Sequence, residues 1–149
     1  MWETRYVPLV DGDKVDIYVK VIWDPTGDPD DYIEKQTDTH YFSKTGWGLF
    51  NWRFKFDLKI PCDFPRLKVL IFDAGLVVDE VIGEGTLNLK KTIDKLEKEG
   101  SIAIPKTYIQ CFNPNKQGEE GGCLMFSMDI LLKEDADGDP VGESWDEPN

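Results

Sequence analysis

The sequence predicts an all-β fold, an antiparallel β-sandwich. Two observations carry this. Short runs rich in β-branched and aromatic residues recur along the chain, separated by clusters of Gly, Pro, Asp and Asn. Only one segment has a helical period, so an alternating parallel α/β fold does not fit. A chain of 149 residues suits one domain with one core.

The elements follow in order. After a short N-terminal piece, "VDIYVKVIWD" (residues 15–24) reads as a strand. "PTGDPDD" (25–31) has turn residues at most positions. "QTDTHYFS" (36–43) reads as a second strand and "KTGWG" as a turn. "FNWRFKF" (50–56) alternates strictly, with Phe50, Trp52, Phe54 and Phe56 on one side and Asn51, Arg53 and Lys55 on the other. That pattern predicts a half-buried, central strand whose aromatics face the core. "RLKVLIFD" (66–73) is a buried strand, "AGLVVDE" a loop and "IGEGTLNL" (82–89) another strand. "KKTIDKLEKEG" (90–100) predicts a short surface helix stopped by glycine. "KTYIQCF" and "GCLMFSMDILLK" (122–133) close the set around a hairpin-like loop, "NPNKQGEEGG". This makes about seven short strands with one helical interruption. Residues 134–149 lack an apolar period and predict a mobile or loosely docked tail.

Net charge is −12, and the last sixteen residues hold seven acids and no base, leaving −5 for residues 1–133. That balance argues against nucleic acid, which requires a basic footprint. It also disfavours simple electrostatic attachment to an anionic membrane. The three cysteines, Cys62, Cys111 and Cys123, are odd in number and widely spaced, as expected of free thiols. The first thirty residues are polar and acidic and show no signal peptide, and no apolar run is long enough to span a bilayer.

Catalytic and phosphate-binding signals are weak. His40, the single histidine, lies in a predicted strand, where a packed or hydrogen-bonded role is expected. "GEG" (83–85) is a lone G-x-G inside a strand, and there is no P-loop. "DADGDP" (135–140) imitates an EF-hand start, but Pro140 stands where the sixth-position glycine belongs. The chain therefore reads as non-enzymatic. Acids do gather where predicted strands begin and end: Asp11, Asp13 and Asp16 around the first strand, Asp73 after "LKVLIF", and Asp79 and Glu80 after the next loop. Such loops could supply the six to eight oxygens a hard cation needs, or they could be ordinary solvated turns.

"DIYVK" (16–20), "KQTDTHYFS" (35–43), "FNWRFKF" (50–56) and "LIFDAG…IGEGTLNL" together resemble the C2 domain. "TDTHY" with "FNWRF" and the terminal "DPVGESWDEPN" is similar to the membrane-proximal, C-terminal C2 domains of ferlins. The resemblance covers nearly the whole chain. It implies an antiparallel eight-stranded C2 sandwich of type II topology with one short inserted helix, the first strand absent or truncated at the N-terminus. An unpaired edge would then be covered by a partner, as in a strand-swapped or edge-paired dimer. Residues 1–133 would be the domain, and 134–149 a linker to the family's transmembrane anchor. The implied role is calcium-modulated contact with phospholipid at the cytoplasmic face of a vesicle or plasma membrane, in docking, fusion or exocytosis. Other C2 domains or vesicle-fusion proteins are the implied partners. The alternative is a calcium-independent protein-interaction module.

Carried over by position, Asp16 and Asp73 match the family's calcium loops, with Asp11 or Asp13 upstream and Asp79 and Glu80 downstream. Gly75 stands where the second loop's next aspartate is expected, which implies weak calcium binding or none. The same loop carries Leu76, Val77 and Val78 in succession at its tip. They either insert into a bilayer or fold back onto the sandwich end.

Overall fold

A computed structural model describes residues 1–9, 12, 14–57, 62, 64–131 and 147–148. The elements are β1 (Trp2–Arg5), β2 (Val15–Asp24), a 3-10 turn (Pro29–Asp31), β3 (Ile33–Gln36), β4 (His40–Ser43), β5 (Gly48–Phe50), β6 (Trp52–Arg53), β7 (Arg66–Asp73), β8 (Glu80–Asn88), α1 (Lys90–Glu99), β9 (Ser101–Phe112), β10 (Glu120–Leu131) and β11 (Glu147–Pro148). If β3 and β4 are taken as one interrupted strand, and β5 and β6 as another, β1 to β10 make the eight strands expected.

Nine strands form one curled, antiparallel sheet in the order β3-β2-β7-β8-β9-β10-β1-β5, with β4 also paired to β2. Between β8 and β9 the ladder narrows to a single pair, Glu84 and Phe112. That is where the sheet folds over to make two layers. The core lies between them. Val15, Ile17, Val19, Val21 and Trp23 of β2 alternate inward, matched by Leu67, Val69 and Ile71 of β7. Trp2, Phe50, Leu124 and Phe126 meet them from the other layer, with Trp2 stacked on Phe126 at 4.4 Å. The period-two pattern of a half-buried strand is thus met on both sides.

Helix α1 buries Ile93 and Leu96, three apart on one face, and leaves its lysines outside. Gly100 ends it at φ 79, a left-handed conformation that costs glycine little, and its N–H closes on Leu96 O at 2.8 Å.

Three expectations need correction. The strand expected over 36–43 breaks at Thr37–Thr39. There the buried Thr37 donates its N–H to Val19 O (2.9 Å) and accepts from Val19 N–H on Oγ1 (3.0 Å), so a side chain replaces one rung of the ladder. The segment 50–56 is not central. Among the described residues β5 pairs only with β1, and β6 pairs with β11, while residues 54–56 leave the ladder. Phe50 is in the core and Trp52, Phe54 and Phe56 pack partly against it, so the aromatics share a core-facing side at the edge of the sheet. The N-terminal piece also forms a strand, β1, paired on both sides between β10 and β5. Most of the acidic segment 134–149 lies outside the described residues.

Candidate functional site

The ladder brings one end of the sandwich together. Ile17 of β2 pairs with Asp73 of β7, and Asp73 with Glu80 of β8. Three of the expected acids, Asp16, Asp73 and Glu80, thus come from neighbouring strand ends. Asp16 is the junction. Its N–H donates to Asp73 Oδ1 at 2.9 Å, its C=O accepts from Ala74 N–H at 2.7 Å, and its Oδ1 accepts from Phe42 N–H at 2.7 Å.

Beyond Asp73 the chain makes a tight loop over residues 74–79. Asp79 staples it. Its Oδ1 accepts from Gly75 N–H at 3.0 Å, and its Oδ2 accepts from the Tyr18 hydroxyl at 2.7 Å. The Tyr18 hydroxyl, and next the Gly75 N–H, hold the Asp79 carboxyl below its ordinary pKa. Burial first, and then the bond to Asp79, push the Tyr18 phenol up. Both shifts favour the same state, a carboxylate facing a neutral phenol. A Cβ at Gly75 would fall against the Val78 carbonyl, closer than the 3.0 Å that real Cβ atoms keep. Glycine is therefore needed for closure of the loop, and its place in the sequence has a steric reason besides a missing carboxylate.

This closure turns the tip outward. Leu76 is 106% exposed, Val77 94% and Val78 76%. Of the two expectations for these residues, the structure has them standing clear of the sandwich.

Among the described residues the expected metal ligands do not assemble. Asp11 and Asp13 lie outside the described residues. Both Asp79 oxygens serve the loop, and one Asp73 oxygen serves the Asp16 N–H. Among the described residues no group of three or more His, Cys, Asp or Glu side chains could hold a metal ion. The described carboxylates therefore do not fit calcium, which needs six to eight oxygens.

The Trp47 turn lies at this same end, because Ser43 pairs with Val15 at the start of β2. Its indole N–H donates to Glu3 Oε1 at 3.0 Å and its ring meets His40 edge-on, so it is tied to the sheet surface. His40 itself takes the Leu49 N–H on Nδ1 at 3.4 Å, in keeping with a packed strand histidine. Burial pushes the Cys111 thiol up to about 12, so it is no nucleophile at neutral pH.

Sequence reading passed over Tyr18, Lys14, Tyr41 and Phe42, which all sit at this end. A signal was present for the last two: adjacent aromatics in "HYFS" break the period of two and mark a bulge.

No family model matches the sequence. The chain is 38% identical over 154 residues to Ferlin 2 of Tetrahymena thermophila, a match covering 100% of the chain and 9% of that protein. It is 33% identical over 151 residues to Ferlin 1 of Toxoplasma gondii, covering 100% and 10% respectively. Similarity extends to human myoferlin, at 28% over 207 residues, covering 100% of the chain and 10% of myoferlin. A solved structure described as CC2D1B, which acts during the mitotic reformation of the nuclear envelope, matches 97% of this chain and 60% of its own. Its TM-score is 0.55 at 20% identity, a likeness of fold. The chain spans about one tenth of the curated relatives' length.

Proposed function

We infer function from one premise: the chain is a C2 domain of the ferlin family. We propose that it is a non-catalytic module that touches a phospholipid membrane with the tip of the 74–79 loop. The observation that carries this is the full exposure of Leu76, Val77 and Val78 on a loop whose base is held by Asp79 and Tyr18.

Consecutive apolar side chains at a convex tip gain nothing in water. Burying each in an apolar phase is worth roughly 1.5–3 kcal/mol. Three give about 4.5 kcal/mol even at the lower figure, which corresponds to a dissociation constant of about 0.5 mM. Such contact is weak and reversible, as suits one of several modules in a long protein where linked sites add avidity. Among the described residues no helix is long and apolar enough to cross a membrane. In the whole protein this contact would act at the cytoplasmic face of a vesicle or plasma membrane, in docking, fusion or exocytosis.

Calcium is not required to shape the tip in this proposal, because the staple from Asp79 already does so.

Co-sedimentation with phosphatidylcholine vesicles tests the reading. The parent chain pellets, and the triple variant Leu76→Ser, Val77→Ser, Val78→Ser stays in the supernatant at an unchanged melting temperature. Equal pelleting of the two, or no pelleting of either with or without millimolar calcium, overturns the proposal. The second outcome would leave the protein-interaction reading.

A further inference from the structure

A second apolar point stands beside the loop tip. β2 and β4 shift register between Val15 and Ile17, so that Tyr41 and Phe42 together stand opposite the single residue Asp16 and bulge out. Tyr41 is 63% exposed and Phe42 62%. Phe42 has φ 58, in the left-handed region that a bulky residue rarely enters. The bulge is held by the Asp16 carboxylate, which accepts the Phe42 N–H. The same residue's carbonyl holds Ala74, where the 74–79 loop leaves β7. Both projections hang from Asp16 and face the same end. Lys14 places its ammonium 4.5 Å from the centre of the Phe42 ring.

A strained conformation spent on exposing an aromatic ring needs a reason outside the fold. We propose that Tyr41 and Phe42 form a second membrane contact, seated at headgroup level beside the deeper tip, and that its occupant is a zwitterionic phosphatidylcholine surface. This rests on the loop-tip reading above. Tyr41, with an apolar ring and a polar hydroxyl, suits the interface. The surrounding charge selects the headgroup. Asp16, Asp73, Asp79 and Glu80 crowd this end, with Asp11 and Asp13 adjoining in sequence, against Lys14 and Lys44. An acidic end repels anionic lipids and tolerates the outward-facing choline cation, which the exposed Tyr41 ring also attracts.

The test uses a fluorophore that brightens and shifts to the blue when it leaves water. It is attached to Tyr41→Cys or to Val77→Cys in a chain carrying Cys62→Ser, with phosphatidylcholine vesicles and a chelator present. The remaining cysteines, Cys111 and Cys123, are buried. Both labels are expected to shift, that at 77 further than that at 41. Phe42→Gly, which adopts the left-handed conformation without strain, is expected to keep the bulge and to lower the partition coefficient about tenfold. A response at 77 with none at 41, or unchanged partition of Phe42→Gly, overturns the second contact and leaves the loop tip standing. Silence at both positions overturns both readings. Stronger binding when phosphatidylserine is added overturns the headgroup assignment.

Discussion

Gly75→Asp separates two explanations of the loop. If Gly75 is merely a vacant ligand position, restoring the carboxylate two residues after Asp73 creates a calcium site. If the loop is closed to any side chain there, the substitution forces it open. The structure favours the second, because a Cβ at Gly75 falls against the Val78 carbonyl, a backbone atom that cannot swing aside. Overpacking of this kind typically costs about 1–3 kcal/mol. For a domain of this size about 1 kcal/mol lowers Tm by roughly 2–4 °C, so the variant is expected to melt roughly 2–12 °C below the parent. Thermal denaturation followed by circular dichroism, with chelator and with millimolar calcium, reads the outcome. Calcium is expected to leave the variant's Tm unchanged, since a ligand held only by the native state would raise it. A Tm equal to the parent's, or one that climbs with calcium, would show that the position accepts a side chain and that the steric argument is wrong.

Other expectations follow from the same contacts. Tyr18→Phe removes the hydroxyl that holds Asp79, so vesicle partition should fall several-fold while Tm hardly moves; unchanged partition would mean the staple does not position the tip. The staple also sets a pH dependence. The lowered pKa of Asp79 makes its contribution present above the ordinary carboxylate pKa and lost as pH falls through the depressed one. The raised pKa of Tyr18 keeps its contribution intact below the ordinary tyrosine pKa and loses it as pH rises through the elevated one. Pelleting should therefore be flat across neutral pH, and a midpoint near neutrality would contradict the assignment. Thr37→Val leaves the buried Val19 N–H without its Oγ1 acceptor and should cost about 1–3 kcal/mol in a urea titration. Gly121→Ala drives a methyl against the Gly83 backbone, and should destabilise by about 1–3 kcal/mol in the same measurement.

Much of the scaffold is legible from composition and period. β2 and β7 fall at the residues where the apolar alternation places them, and α1 stops at Gly100, because these features depend on neighbours a few residues apart. The apolar tip Leu76–Val78 is likewise plain in the sequence, since three consecutive apolar residues in a loop need no partner to be noticed. What tertiary structure alone decided depends on contacts across long separations. Periodicity showed that Phe50, Trp52, Phe54 and Phe56 share a side, but it does not say which strand lies alongside, and the segment proved to be an edge. Thr37 could be seen to interrupt a strand only once Val19 was found opposite it. Asp79 looked like a metal ligand because carboxylates near strand ends resemble one another in sequence. Its oxygens were claimed by Gly75 and by Tyr18, the latter 61 residues away, through a register that local pattern does not encode. The residues that make the end of this sandwich were all visible in the chain, but that Asp16, Asp73 and Asp79 each accept a backbone N–H follows from the pairing of β2, β4, β7 and β8.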